Sequence, residues 1–167
     1  MNNDYDSFNL MVGEPTVYDY DESVELLDLN GLTHLEAGLW RYCYDNSRRV
    51  VIAIGDTSFI IETNPDVSVV LDELPRIVSC LSSGQDTALS FYELGKTLYF
   101  TPRNGRVTCV LQCDGEVPNY REFTLLPTQV LDQIDSLLHS IVQGAVDGGY
   151  ITVAEAQVFL DSENYPC

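Results

Sequence analysis

Few residues of this chain have both the type and the spacing that enzyme chemistry requires. The two histidines are His34, close to Glu36 in an expected loop, and His139, beside the apolar stripe of an expected helix. No serine stands in a Gly-x-Ser-x-Gly turn, and no glycine-rich loop carries a lysine for phosphate. For both histidines the sequence therefore favours a structural or surface role over catalysis.

The cysteines and one glycine-rich segment were considered as metal sites. Cys109 and Cys113 lie four residues apart on an expected strand, and no further Cys or His stands at zinc-ligand spacing. Both are therefore expected to be core thiols. The segment DGGYITVAE resembles the second half of a calcium loop, but the early ligand positions offer no carboxylate. A capping box between Thr152 and Glu155 explains the glutamate, so we expect neither a metal nor a cofactor.

Charge is the outstanding feature of the composition. The 167 residues include 26 acids and 8 bases, which gives a formal net charge of −18, and Lys96 is the only lysine. Paired carboxylates leave acid–base catalysis open, but so few bases offer little to hold an anionic substrate or to separate two pKa values. We predict that the chain is not an enzyme and has no small-molecule substrate.

The same charge excludes some partners and favours others. Nucleic acid backbones and anionic membranes repel such a chain, whereas basic proteins attract it. A role in solubility alone is the simpler alternative. The acids are densest in YDYDESVELLDLNG, where five acids and no base occur. We predict that this segment contacts a partner through Tyr18, Asp19, Tyr20, Asp21, Glu22, Glu25 and Asp28.

The ends and the cysteines of the chain bear on its compartment. The N-terminal residues lack the basic and apolar regions of a signal peptide, and no apolar run approaches the roughly 20 residues that span a bilayer. The five cysteines are scattered and odd in number. They are expected to be reduced thiols, and the protein to be cytoplasmic.

The apolar pattern predicts a single α+β domain over residues 1–167, with an acidic segment over 1–35. SVELLDL is compatible with a short helix or an edge strand, and GLWRYCYDN favours a strand. Gly55-Asp56 predicts a hairpin, Asn104-Gly105 lies within a four-strand meander, and hairpin and meander are expected to form one antiparallel sheet. The strands of the meander are expected in ALSFYEL, KTLYFTP, RVTCVLQC and REFTLL.

Two main helices are expected to pack on one face of this sheet. The first has Asp72 as its N-cap and ends at Gly84. The second begins at a Thr128 cap, ends at Gly148-Gly149, and is followed by a short helix from the capping box to about Leu160. Their apolar stripes are Leu71, Leu74, Val78 and Leu81, then Val130, Ile134, Leu137, Leu138, Ile141, Val142 and Ala145.

The region from Leu71 to Val142 resembles small bacterial immunity proteins of polymorphic-toxin and contact-dependent inhibition systems. The likeness lies in the layout of LDELPRIVSCLSSGQDTALSFYELGKTLYFTPRNGRVTCVLQC and FTLLPTQVLDQIDSLLHSIV: a helix ending in Gly, a meander, and a closing helix.

The resemblance implies a cytosolic protein that binds a cognate toxin domain, often a basic nuclease, and covers its active site. An acidic DNA mimic, or a phage-encoded inhibitor of a nucleic-acid-binding protein, is the alternative.

Overall fold

The computed structural model describes residues 5–15, 31–115 and 119–167. Its strands form two antiparallel sheets, one of three strands in the order β1-β2-β3 and one of four in the order β4-β5-β6-β7. The predicted α+β class is confirmed. The strands are β1 Phe8–Pro15, β2 Arg48–Ile54, β3 Thr57–Glu62, β4 Thr87–Phe91, β5 Lys96–Arg103, β6 Arg106–Cys113 and β7 Asn119–Leu125.

The described residues also form five α-helices, of which α1 to α3 lie between strands and α4 and α5 follow the last strand. Short helical turns precede α2 (Thr63–Val67), follow β4 (Tyr92–Leu94) and follow the last helix (Ser162–Asn164). None of the described helices combines the length and apolar character that crossing a bilayer requires. The helices are α1 His34–Asp45, α2 Ser68–Val70, α3 Glu73–Ser82, α4 Pro127–Asp147 and α5 Val153–Leu160.

The hairpin and the meander occur where the sequence predicts them. Gly55, with φ of 56°, turns the chain between β2 and β3. Asn104 and Gly105, with φ of 52° and 74°, turn it between β5 and β6. Positive φ at two consecutive positions suits the tight hairpin turn that the Asn-Gly pair favours.

The segment GLWRYCYDN, which the sequence favours as a strand, lies in helix α1 instead. Thr33 and Glu36 form a capping box that begins the helix. The buried face of this helix carries Gly38, Leu39 and Cys43. The spacing of Leu39 and Cys43 by four residues is helical, and this packing outweighs the β propensity of the aromatic residues between them.

The N-terminal strand β1 was not predicted, and it places the hairpin in a separate sheet from the meander. Phe8 pairs with Ile54, and Leu10 pairs with Ile52, so both lie on the core side. The Leu10 N–H donates to Gln133 Oε1 of α4 at 2.8 Å. Helix α4 thus protects part of the free edge of β1.

The helix ends follow the sequence prediction in part. Asp72 occupies the N-cap position of α3, but its side chain makes no capping hydrogen bond. Helix α4 begins at Pro127, with Leu126 at the N-cap, so the predicted Thr128 cap is wrong. Its Gly148 end and the Thr152–Glu155 capping box of α5 are confirmed.

Cys80 of α3 forms a disulfide with Cys167, so the structure is an oxidised form in which the prediction of five reduced thiols fails for this pair. Cys43, Cys109 and Cys113 are free. Burial raises the pKa of Cys43 and of Cys109 to about 12, so both stay protonated near neutral pH. They belong to the core, as the sequence indicates for Cys109.

We predict that Gly38→Ala destabilises the protein. Alanine favours a helix interior by about 1 kcal/mol over glycine. A Cβ at this position, however, collides with the backbone carbonyl of Tyr150 and with the Ile151 side chain. Overpacking typically costs about 1–3 kcal/mol, so urea denaturation should show a lower free energy of unfolding. A variant more stable than wild type by the propensity difference would contradict this close packing.

Candidate functional site

The residues that the sequence assigns to partner binding lie outside the described part of the chain. Their contact with a partner therefore stays a prediction, and the site below is built from described residues only. The residues concerned are Tyr18, Asp19, Tyr20, Asp21, Glu22, Glu25 and Asp28.

His34 is the first residue of α1 rather than part of a loop. Its Nδ1 lies 2.7 Å from Glu155 Oε1 of α5. Hydrogen bonds from the Thr152 backbone and side chain, with one from His34, lower the pKa of Glu155 to about 2. The imidazole is mostly exposed, and its carboxylate partner also closes the capping box. This pair therefore joins α1 to α5.

His139, like His34, is paired with a carboxylate at the protein surface. His139 Nδ1 lies 3.3 Å from Asp135 Oδ2, one turn earlier on α4, and both side chains are exposed. Within the described ranges, no three His, Cys, Asp or Glu side chains are grouped so that they could hold a metal ion.

Residues of α1 and of the loop between α4 and α5 line a cleft of about 440 Å³. His34, Arg41 and Asp45 line one side, and Tyr150 lines the other. The Tyr150 hydroxyl donates to Asp45 Oδ2 at 2.8 Å, and this hydrogen bond joins the two sides of the cleft. The cleft contains no buried carboxylate pair of the kind that separates two pKa values in an acid–base enzyme.

A pair of carboxylates, one on a buried residue and one on a half-buried residue, lies at the end of β3. Asp66 is only 7% exposed, and its Oδ2 accepts a hydrogen bond of 2.9 Å from the Glu62 N–H. Asp66 Oδ1 and Glu62 Oε2 are buried without a hydrogen-bond partner among the described residues. Burial is the main factor that raises the pKa of Asp66, and repulsion from Glu93 adds to it. Burial and Asp66 raise the pKa of Glu62.

One side of the four-stranded sheet faces away from the core and carries few charged side chains. Side chains alternate along each strand, so that β5 buries Leu98 and Phe100 and exposes Tyr99. We call the opposite side of this sheet the outer face. It comprises Ala88, Ser90, Thr97, Tyr99, Thr101, Thr108, Val110, Gln112, Tyr120, Glu122 and Thr124.

The strand register fixes how these side chains neighbour one another. Tyr99 lies between Ala88 of β4 and Val110 of β6. In the next row, the hydroxyls of Ser90 and Thr97 lie 3.1 Å apart and form a hydrogen bond across the strands. Threonine, valine and tyrosine favour strands, and their cross-strand contacts stabilise the sheet beneath the outer face.

Charged groups lie at the margin of the outer face. Arg103 pairs with Asp86 at 2.9 Å, and the Arg106 guanidinium lies 5.3 Å from the centre of the Tyr5 ring. Glu122 of β7 is the one acid within the face. In a protein of net charge −18, a surface with a single acid is unusual, and central depletion of charge is typical of protein interfaces.

Three tyrosines give this surface aromatic anchors. Tyr99 is 43% exposed and Tyr120 is 59% exposed on the outer face, and Tyr92 in the turn after β4 is 75% exposed. Tyrosine is enriched at binding hot spots because its ring buries a large area while its hydroxyl stays hydrogen-bonded. Alternation along the strands of the meander predicts that Tyr92, Tyr99, Thr108, Gln112 and Thr124 face away from the core, but it does not show what packs on that side.

Comparison of the chain with protein-family models, with curated proteins and with solved structures found no match in any of the three.

We predict that Asp66→Asn makes the protein less sensitive to rising pH. The folded-state pKa of Asp66 is raised, so its protonated form stabilises the fold below the unfolded pKa, near 4, and this stabilisation is lost as pH rises through the folded pKa. Urea denaturation from pH 4 to pH 7.5 should show that the variant gains stability relative to wild type as pH increases.

Asp56→Asn is the control of opposite sign. Hydrogen bonds from Arg121 and its positive charge lower the pKa of Asp56, so the stabilisation is present above the unfolded pKa and is lost as pH falls through the folded pKa. The Asp56→Asn effect should therefore stay nearly constant above pH 5 and shrink only when the measurements are extended below pH 4. A constant difference between wild type and Asp66→Asn across the range would show that Asp66 does not bind its proton more tightly in the folded state.

Proposed function

We propose that this chain is a cytoplasmic immunity protein that binds a cognate bacterial toxin domain and blocks its active site. The observation that carries the proposal is the contrast between a net charge of −18 and an outer face that bears exposed tyrosines and a single acid. The layout from Leu71 to Val142, which resembles small immunity proteins, supports the same function.

Charge and aromatic surface have different parts in this proposal. The acids attract a basic toxin domain over a long range and raise the association rate. Aromatic side chains such as Tyr99 and Tyr120 become buried on contact and slow dissociation. Toxins that act on nucleic acids have basic substrate clefts, and an acidic protein that occupies such a cleft excludes the substrate.

The distribution of acids favours a protein partner over mimicry of DNA. A DNA mimic needs carboxylates in a regular row, because phosphates repeat along the duplex. Acids of the described residues lie instead on separate elements: Glu36 on α1, Asp56 in the hairpin turn, Asp86 before β4, Asp135 on α4 and Asp161 after α5. Attraction of a basic protein needs only the summed field of these charges.

The disulfide between Cys80 and Cys167 is the observation that weighs against the cytoplasm. Such bonds persist mainly in oxidising compartments, whereas cytosolic reductants keep most thiols reduced. Our proposal therefore requires that these two cysteines are thiols in the cell and pair only under oxidising conditions.

We predict that Asp19→Lys, Asp21→Lys and Glu22→Lys together slow association with the toxin domain encoded beside this chain, by about tenfold or more at low salt. The salt dependence of the association rate should also fall, as stopped-flow fluorescence would measure. Tyr99→Ala should mainly raise the dissociation rate.

Asp132→Lys is the matched control, since Asp132 is exposed on α4 and belongs neither to the predicted segment nor to the outer face. It should change the association rate less than any one of the three reversals. If the triple variant associated like wild type, the predicted segment would not contact the partner. If no basic toxin domain bound the chain, the proposed function would be wrong.

We also predict that Cys80 and Cys167 are reduced in the producing cells. Acid quenching, alkylation and mass spectrometry would show both cysteines modified, with free Cys113 as the internal control for complete labelling. An intact bond between Cys80 and Cys167 in quenched cells would contradict the cytoplasmic location.

A further inference from the structure

The four-stranded sheet ends in β7, whose side away from β6 is in part already used for pairing. The Asp6 N–H donates to the Thr124 carbonyl oxygen at 2.7 Å, and the Thr124 N–H donates to Asp6 Oδ2 at 2.9 Å. Backbone groups of Thr124 therefore point away from β6. The edge of β7 is thus able to form strand-like hydrogen bonds at this position.

Backbone direction alternates along a strand, so Tyr120 and Glu122 present their N–H and C=O groups on the same side as Thr124. No described residue forms a hydrogen bond with these four groups. All four residues from Asn119 to Glu122 are exposed. We call this half of β7 the open edge.

Two other strand edges also have one backbone donor that is already bonded within the described residues. The Leu10 N–H of β1 is bonded to Gln133 of α4, and the Glu62 N–H of β3 is bonded to the Asp66 carboxylate. An exposed strand edge is a template on which a further strand can form, and proteins usually cover it unless it serves binding.

Charge decides which kind of strand the open edge accepts. The Arg121 guanidinium is engaged by Asp56, at 2.7 and 2.9 Å, and by the Thr57 hydroxyl. Glu122 has no ion-pair partner among the described residues, and it stands beside the edge groups on the outer face. A second copy of this chain would bring another net charge of −18, so pairing between copies is disfavoured.

We propose that the open edge of β7 binds an extended, basic segment of the partner protein as an additional strand of the sheet. This inference rests on the proposed function, because it specifies how the basic partner is held. Main-chain hydrogen bonds to Tyr120 and Glu122 supply pairing, and alternate side chains of the added strand lie beside Tyr120 on the outer face. Lysine or arginine at these alternate positions approaches Glu122.

The test uses a synthetic peptide of alternating lysine and valine as the probe, with amide hydrogen exchange of the whole chain as the readout. In the free protein, amides of Arg121 and Phe123 should be protected by β6 while those of Tyr120 and Glu122 exchange rapidly. The peptide should slow exchange at Tyr120 and Glu122 by tenfold or more.

A peptide of the same sequence with N-methylated lysines is the matched control, because it keeps the charge and loses the backbone donors on one edge. The peptide can also bind with its valine amides toward β7, and a second peptide with N-methylated valines tests that register. Because each of these peptides keeps one intact edge, a third peptide with N-methyl groups on every lysine and valine is also needed, and it should fail to protect Tyr120 and Glu122. Protection by this third peptide equal to that of the unmodified peptide would overturn strand pairing.

Two further variants separate the open edge from general attraction. Glu122→Pro removes an N–H that points away from β6, so it should abolish the protection at Tyr120 without breaking the ladder to β6. Should this variant fail to fold, Glu122→Lys supplies the same comparison through charge, with peptide affinity expected to fall about tenfold.

Protection at Ser58 and Ile60 of β3 instead of β7 would overturn the assignment, as would binding that protects neither edge. Absence of peptide binding at millimolar concentration would overturn it too. In each of these cases a basic toxin domain that still associates in a charge-dependent way would leave the proposed function standing.

Discussion

The apolar stripe of α4 must be covered along its whole length, and the rest of the structure depends on this constraint. Seven of its side chains are buried, and β1, α1, α3 and α5 all pack against the helix. The inner faces of both sheets contribute to the same core. The helices bury their apolar residues in this core, while Tyr99 and Tyr120 on the outer face of the four-stranded sheet stay exposed.

The sequence predicted those elements whose signals are local and repeated. In β5 and β6, the alternation of apolar residues and the Asn104-Gly105 turn both indicate a hairpin. In α4, the long apolar stripe indicates a helix. Helix α1 was mistaken for a strand because its aromatic residues favour strands, although the Thr33–Glu36 capping box was present as a signal. Strand β1 was missed because only one neighbour and one helix define it, and both are distant in sequence.

The candidate site was less predictable than the fold for a physical reason. A sequence shows which side chains alternate, but whether the second face of a sheet stays open depends on where every helix packs. The same holds for the pairing of Cys80 with Cys167, which are 87 residues apart, and for the burial of Asp66 beside Glu62. Neither can be inferred from spacing, because both require that distant segments have already been brought together.

Many of the acids stabilise the fold locally, and this limits how the charge can be interpreted. Glu36 and Glu155 close capping boxes at helix N-termini, where a negative charge also interacts favourably with the helix dipole. Asp56 and Asp86 are paired with arginines. Such acids have structural reasons to be present. The acids without such partners carry more weight as evidence for a basic partner, and Glu122 stands among them beside an unpaired strand edge.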